Sequence, residues 1–380
     1  MKSFIKKHLS TLIMSAVLLL IIIFLIVISI LKNNVAIAEN WTRTFGRFYT
    51  TSIGKVVSEL PFSLTETMFI IVVISSVVFL AWGFSLLGNK NYLGFVNRVL
   101  MISLIVVGTV TMYNASVGMG YHRKSLSIEK YDGEIDSTKF KEIATYFVND
   151  YNHCSEELSF SNEGEIILPY SQKELVERLR NEFHKLDGDD YFSKYTPTAK
   201  PLMSSGIFTA ASIVGLYFGV FGEINYNNYC TSAELPFTIA HEMCHAKGVM
   251  REDEAQLLTF YICVTSKDPL IRYSAYFHTI DRIMYIATKT DNPNDYEEVN
   301  ALVSPQIKKN YSYFNKHWKG MTFLTDLGDK INNWYLQTFG EKGGTVDYQD
   351  TDTGTDSEGK VVYLSNYQSI YFRIYYEENS

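Results

Sequence analysis

His241-Glu242-Met243-Cys244-His245 sets two imidazoles four residues apart with a carboxylate beside the first. On a helix, positions i and i+4 share one face, one turn apart. Two imidazoles so placed can hold one tetrahedral Zn²⁺. Glu242 can take a proton from a metal-bound water and pass it to a leaving amine. Bound zinc lowers the pKa of that water to about 7, which makes it a nucleophile at neutral pH. The chemistry this HExxH pattern suggests is peptide hydrolysis.

A catalytic zinc needs a third protein ligand and an open position. Arg251-Glu252-Asp253-Glu254-Ala255-Gln256 supplies two acids. They are two positions apart, about 200° around a helix, so both cannot face one metal. Glu252 heads an E-x-x-A-Q pattern, with Gln256 one turn on as a hydrogen-bonding neighbour for a ligand histidine; Glu254 is the alternative. Both also suit a helix N-terminus, where acids are favoured without any metal.

The elements that must position these residues follow from the flanks. Ile239, Ala240, Met243, Cys244 and Ala246 are uncharged, as a buried helix requires. The helix is expected to start near Pro236 and stop at Gly248, a residue suited to a helix C-terminus. Lys247 reads as the exposed end. A second helix follows from about Arg251 to Thr265. Upstream, 206–221 is rich in β-branched and aromatic residues and reads as one or two strands. Such a strand at a sheet edge can hold a substrate backbone. Glu223, Asn225 and Asn228 fall in the loop expected after it. Ser171 and Glu174 form a capping-box pattern ahead of another helix.

"LPFTIAHEMCHAKGVMREDEAQLLTFYIC" resembles the core of a bacterial membrane-protein family catalogued as domain-of-unknown-function family 3810. Members share the HExxH helix, a glycine after it and an E-x-E-A-N segment; here Gln256 replaces the asparagine. "GLYFGVFGEINYN", "RYSAYF" (272–277) and "GTVDY" (344–348) are similar too, although a proline usual before the motif is Gly219 or Val220 here. The E-x-x-A arrangement is also similar to gluzincin-type membrane peptidases, whose third ligand is that glutamate. The resemblance therefore favours Glu252 as the ligand beside His241 and His245. It also makes Tyr348, in the family-like VDY, the first choice to stabilise an oxyanion, with Arg272, Tyr273 and His278 behind it.

The rest of the chain sets the compartment. Residues 11–31 form an unbroken apolar run, and apolar runs also cover about 67–87 and 99–118. Roughly 20 such residues cross a bilayer. The first run is too long for the apolar core of a signal peptide, although a small-residue cleavage site follows at Ala36-Ile37-Ala38. Lys2, Lys6 and Lys7 before the first run, and Lys90 and Arg98 between the other two, place both segments in the cytoplasm. Lys32, Arg43, Arg47 and Lys55 weaken that bias. Three spans from an inside start leave everything after about Tyr121 outside.

The net charge of −7 supplies no basic face, so nucleic acid is not an expected partner. All four cysteines lie after the third span and are read as free and buried. The expected protein is α+β and mostly helical. A membrane region (1–120) precedes a zincin-like extracytoplasmic domain (121–380) with a small β-sheet beside the HExxH helix. The expected function is that of a multi-pass cell-membrane zinc metalloendopeptidase with a protein or peptide substrate. The alternative is a catalytically silent zinc-binding sensor or scaffold.

Overall fold

The computed structural model describes residues 2–321, 325, 326, 328–330, 333, 337 and 353–380. The chain divides into two compact units. The first holds Met1–Lys124 and Phe218–Glu223, and the second holds Ser125–Tyr217 and Ile224–Ser380.

In the first unit, α1 (Lys2–Leu31) is followed by α2 (Val35–Trp41), a π-helical turn (Thr42–Gly46) and α3 (Arg47–Ser58). Then come α4 (Leu64–Gly88) and α5 (Tyr92–Ser116). Three helices are long and apolar enough to cross a membrane: His8–Leu31, α4 and α5. The second and third extend beyond the apolar runs at their N-terminal ends. Caps account for this: the Ser63 side chain accepts from the Glu66 amide, and Asn91 accepts from the Gly94 amide. Each satisfies a donor that the first turn leaves orphaned.

The α4 N-terminus has a second acceptor. The Glu223 carboxylate takes the amides of Leu64 at 3.0 Å and Thr65 at 2.7 Å. A buried anion there satisfies two more donors and suits the helix dipole. Glu223 therefore caps a helix, and with Asn225 it lies in a strand (Glu223–Tyr226) where a loop was expected. Arg123 grips the Glu39 carboxylate through two nitrogens at 2.8 and 2.9 Å. Burial would raise the Glu39 pKa, but the hydrogen bonds of Arg123 and Arg43 hold it down at about 2.

The second unit is mostly helical. It opens with α6 (Phe140–Glu156), a two-stranded antiparallel pair β1 (Ser159–Phe160) and β2 (Ile166–Ile167), and α7 (Gln172–Phe183). At α7 the Ser171 side chain accepts the Glu174 amide, while the Glu174 carboxylate turns to Arg178. Half of the expected capping box therefore forms. Next come β3 (Ala199–Pro201), α8 (Ser205–Ala210), β4 (Gly215–Phe218) and β5 (Glu223–Tyr226). The three strands form a sheet ordered β3-β5-β4, with β3 and β5 parallel. The segment 206–221, read as one or two strands, is thus a short helix followed by one short strand. Asn227 organises the switch: its side chain donates to Thr209 Oγ1 and to the Ile213 carbonyl.

Four helices follow: α9 (Leu235–Ala246), α10 (Glu252–Val264), α11 (Pro269–Met284) and α12 (Asp295–Leu302). After them come α13 (Pro305–Trp318), a hairpin of β6 (Gly354–Thr355) and β7 (Val361–Tyr363), and α14 (Asn366–Glu378). The aromatic-rich tail thus holds both a strand and a helix. Aromatic rings from α6, α11 and α14 build the core. Phe147 meets Tyr371 edge-on at 4.6 Å, and Tyr151 meets Tyr273 at 4.8 Å. Burying such a ring contributes about 2–3 kcal/mol, which explains the use of so many tyrosines and phenylalanines. Cys154, Cys244 and Cys263 are free and buried; Cys230 is free and partly exposed.

Candidate metal centre

All twelve residues of α9 are buried, so the motif helix runs through the core of its unit. A helix start buried this way needs partners for its free amides. Pro236 removes one, and the Ser274 hydroxyl of α11 accepts the Phe237 amide at 3.1 Å. Lys247 is not an exposed end. Its side chain is fully buried, and its ammonium is 2.6 Å from Asp187 Oδ1.

The end of α9 builds the site. Gly248 adopts φ 98°, a conformation that disfavours a β-carbon. The Gly248 amide bonds the His245 carbonyl at 2.9 Å, and the Val249 amide bonds the Cys244 carbonyl at 3.1 Å. These two bonds form a Schellman turn. The turn brings the Val249 carbonyl to 2.8 Å from His245 Nδ1. A carbonyl only accepts, so Nδ1 carries a proton, and Nε2 is the nitrogen left to face a metal once His245 is neutral. The chain then enters α10, whose first residue is Glu252.

Glu252 Oε2 lies 3.0 Å from His241 Nε2 and 3.5 Å from His245 Nε2. The imidazole rings stand 4.7 Å apart and nearly perpendicular, at 86°. One donor atom from each of the three residues falls within 4.8 Å of the others. Two imidazole nitrogens and one carboxylate oxygen fit the chemistry of a three-ligand zinc site. Glu254 points elsewhere: its carboxylate takes Arg251 and the Leu126 amide at 2.9 Å. Gln256 lines the adjoining cleft and hydrogen-bonds neither histidine among the described residues.

His245 and Glu252 hold charge against burial. Burial alone would lower the His245 pKa, but the Glu252 carboxylate outweighs it and lifts His245 to about 9. Burial would raise Glu252, yet the two histidines hold it at about 2. Without a metal this is an imidazolium–carboxylate cluster. Glu242 is buried beside it. Burial pushes its carboxyl up, while His245, His241 and the Tyr217 amide pull it back in part.

A cleft of about 230 Å³ opens over His241 and Glu242. One wall is the segment from Ala211 through Gly215, which leads into the edge strand β4. Glu234, Phe237, Thr238 and His278 also line it. A β-carbon on Gly215 would stand 2.5 Å from Glu242 Oε1, so only glycine lets the strand approach this closely. Arg272 and Tyr273 do not line the cleft: Arg272 bonds Cys154, and Tyr273 bonds Asn310 at 3.0 Å. His278 does line it, stacked on Phe237 at 4.4 Å. Tyr348 lies outside the described residues.

Sequence reasoning missed Gly215, Glu234 and the Val249 carbonyl. Glycine breaks in "GLYFGVFG" were a signal for the first. Glu234 looked like an ordinary acid ahead of a helix, and a backbone carbonyl leaves no trace in residue type.

A membrane-associated chain with a buried histidine–carboxylate triad beside an edge strand is thereby defined. Residues 41–351 match the family described as protein of unknown function (DUF3810), and the chain belongs to that family. No curated protein and no solved structure matches the chain.

Proposed function

We propose that this protein is a membrane-anchored, zinc-dependent peptidase with a zincin-like second unit. His241, His245 and Glu252 are the metal ligands. The observation that carries this reading is the convergence of those three donor atoms within 4.8 Å, beside a buried glutamate that faces an edge strand. A site that only bound metal would not require that glutamate.

When bound, zinc supplies a Lewis acid that acidifies water and polarises a peptide carbonyl. The chain's residues do the rest. The Val249 carbonyl fixes the tautomer and orientation of His245. Glu242 receives the proton of the attacking water and delivers it to the departing amine. Its raised pKa suits both transfers. The β4 edge offers backbone groups to an extended substrate. The three apolar helices support a multi-pass protein, and the pattern of lysine and arginine favours an N-terminus in the cytoplasm with the second unit outside.

The test is turnover of a peptide library by the full-length protein and by Glu242→Gln. The variant is expected to keep its zinc and lose cleavage. Cleavage retained in the variant would overturn the role of Glu242.

A further inference from the structure

We propose that Glu234 and His278 form an ammonium subsite in the cleft, so that the substrates are peptides presenting a primary ammonium group beside the scissile bond. This rests on the peptidase reading above and adds the substrate class to it.

Glu234 is only 6% exposed, yet it lines the cleft. Its Oε2 is held by the Trp318 indole N–H at 3.2 Å and the Thr231 amide at 3.4 Å. Its Oε1 has no hydrogen-bond partner among the described residues. His278 is tied to the same residue, because its ring bonds the Glu234 backbone carbonyl. That bond uses Nδ1–H, since Nε2 is buried and makes no hydrogen bond among the described residues. Nε2 is therefore an acceptor.

Glu234 Oε1 is left to the cleft without a partner among the described residues, and a buried imidazole lone pair is costly to leave unsatisfied. Both call for a donor, and an ammonium offers three with a positive charge. The charge of the cleft agrees. Glu234, Glu242 and Asp329 line it, and among the described residues no lysine or arginine does. With Glu252, four carboxyl groups surround the cleft and the histidines. Burial raises the Glu234 carboxyl to about 7, and a bound ammonium would draw it fully to the anion.

The ammonium can come from a free N-terminus or from a lysine side chain. The test uses full-length Glu242→Gln protein in detergent, so that peptides stay intact, with zinc content measured on the same sample. Three probes are titrated calorimetrically: alanine tetrapeptide amide with a free amine, its N-acetyl form, and an N-acetylated form carrying one lysine. At least one amine-bearing probe is expected to bind about tenfold or more tighter than the acetylated alanine peptide, the scale of a charge-assisted hydrogen bond. Tight binding of the free-amine peptide alone identifies the N-terminus; tight binding of the lysine peptide identifies the side chain. Adding Glu234→Gln should erase the preference and leave zinc unchanged. Equal binding of all three, no binding, or a preference that survives Glu234→Gln overturns the subsite. If that variant fails to fold, the comparison of three peptides still decides. A protein without zinc sinks the peptidase reading; full zinc with no amine preference sinks only the subsite.

Discussion

Gly215 and Glu242 are in contact across the cleft, and a single β-carbon at Gly215 would stand 2.5 Å from Glu242 Oε1 and 2.9 Å from its Cγ. Both distances are below what packed atoms tolerate, so the strand edge and the proposed base are fitted to each other through a missing side chain. Gly215→Ala must push the carboxylate or the strand aside. A misplacement near 1 Å costs about 10²-fold in rate. The expected result is a large fall in turnover with zinc content unchanged, measured on purified protein. Unchanged turnover would show that the contact does not position the base.

The Schellman turn at the end of α9 carries the orientation of His245. Gly248→Ala strains a backbone at φ 98° and loosens the Val249 carbonyl from His245 Nδ1. A stability loss of about 1–2 kcal/mol is expected in chemical denaturation. Zinc affinity should weaken by about tenfold or more, because that carbonyl orients a ligand.

Zinc binding should release protons. In the metal-free protein His245 holds its proton up to about 9, and the metal needs it neutral. Near pH 7.5, calorimetry in buffers of different ionisation enthalpy should report about one proton released per zinc. The linkage sign is definite: affinity rises with pH until His245 titrates by itself, then levels off. Affinity independent of pH between 6 and about 8.5 would contradict the cluster's assigned charge.

Lys247 and Asp187 form the ion pair behind the motif helix. Burial works against the Asp187 carboxylate, but hydrogen bonds from Lys247 and His184 outweigh it and lower its pKa. A carboxylate with a depressed folded pKa contributes stability above its unfolded value and loses it as pH falls through the folded value. Acid sensitivity below about pH 4 is expected from this pair. Asp187→Ala leaves a buried ammonium unpaired and should cost about 2 kcal/mol, a figure reduced because Asp187 is partly exposed.

Much of the candidate site was legible because histidine spacing and helix geometry are both periodic. His241, His245 and Glu252 meet where i,i+4 spacing and a glycine turn would bring them. The three apolar helices were legible because hydrocarbon thickness sets their length. The stretch 206–221 was not. Its β-branched residues suit strands, but Asn227 bonds Thr209 at the end of α8 and the Ile213 carbonyl beyond it, contacts that local propensity does not encode. Lys247 looked exposed because charge usually is; its partner lies sixty positions away, at Asp187. Glu223 looked like a loop residue because its helix-capping role depends on a segment 160 positions earlier in the chain.

The most direct test of the central claim is zinc content of the full-length protein purified without chelator, wild type beside His245→Ala and Glu242→Gln. The account predicts about one zinc per chain in the wild type and in Glu242→Gln, and none in His245→Ala. A folded wild-type protein without stoichiometric zinc, or zinc retained by His245→Ala, would contradict it.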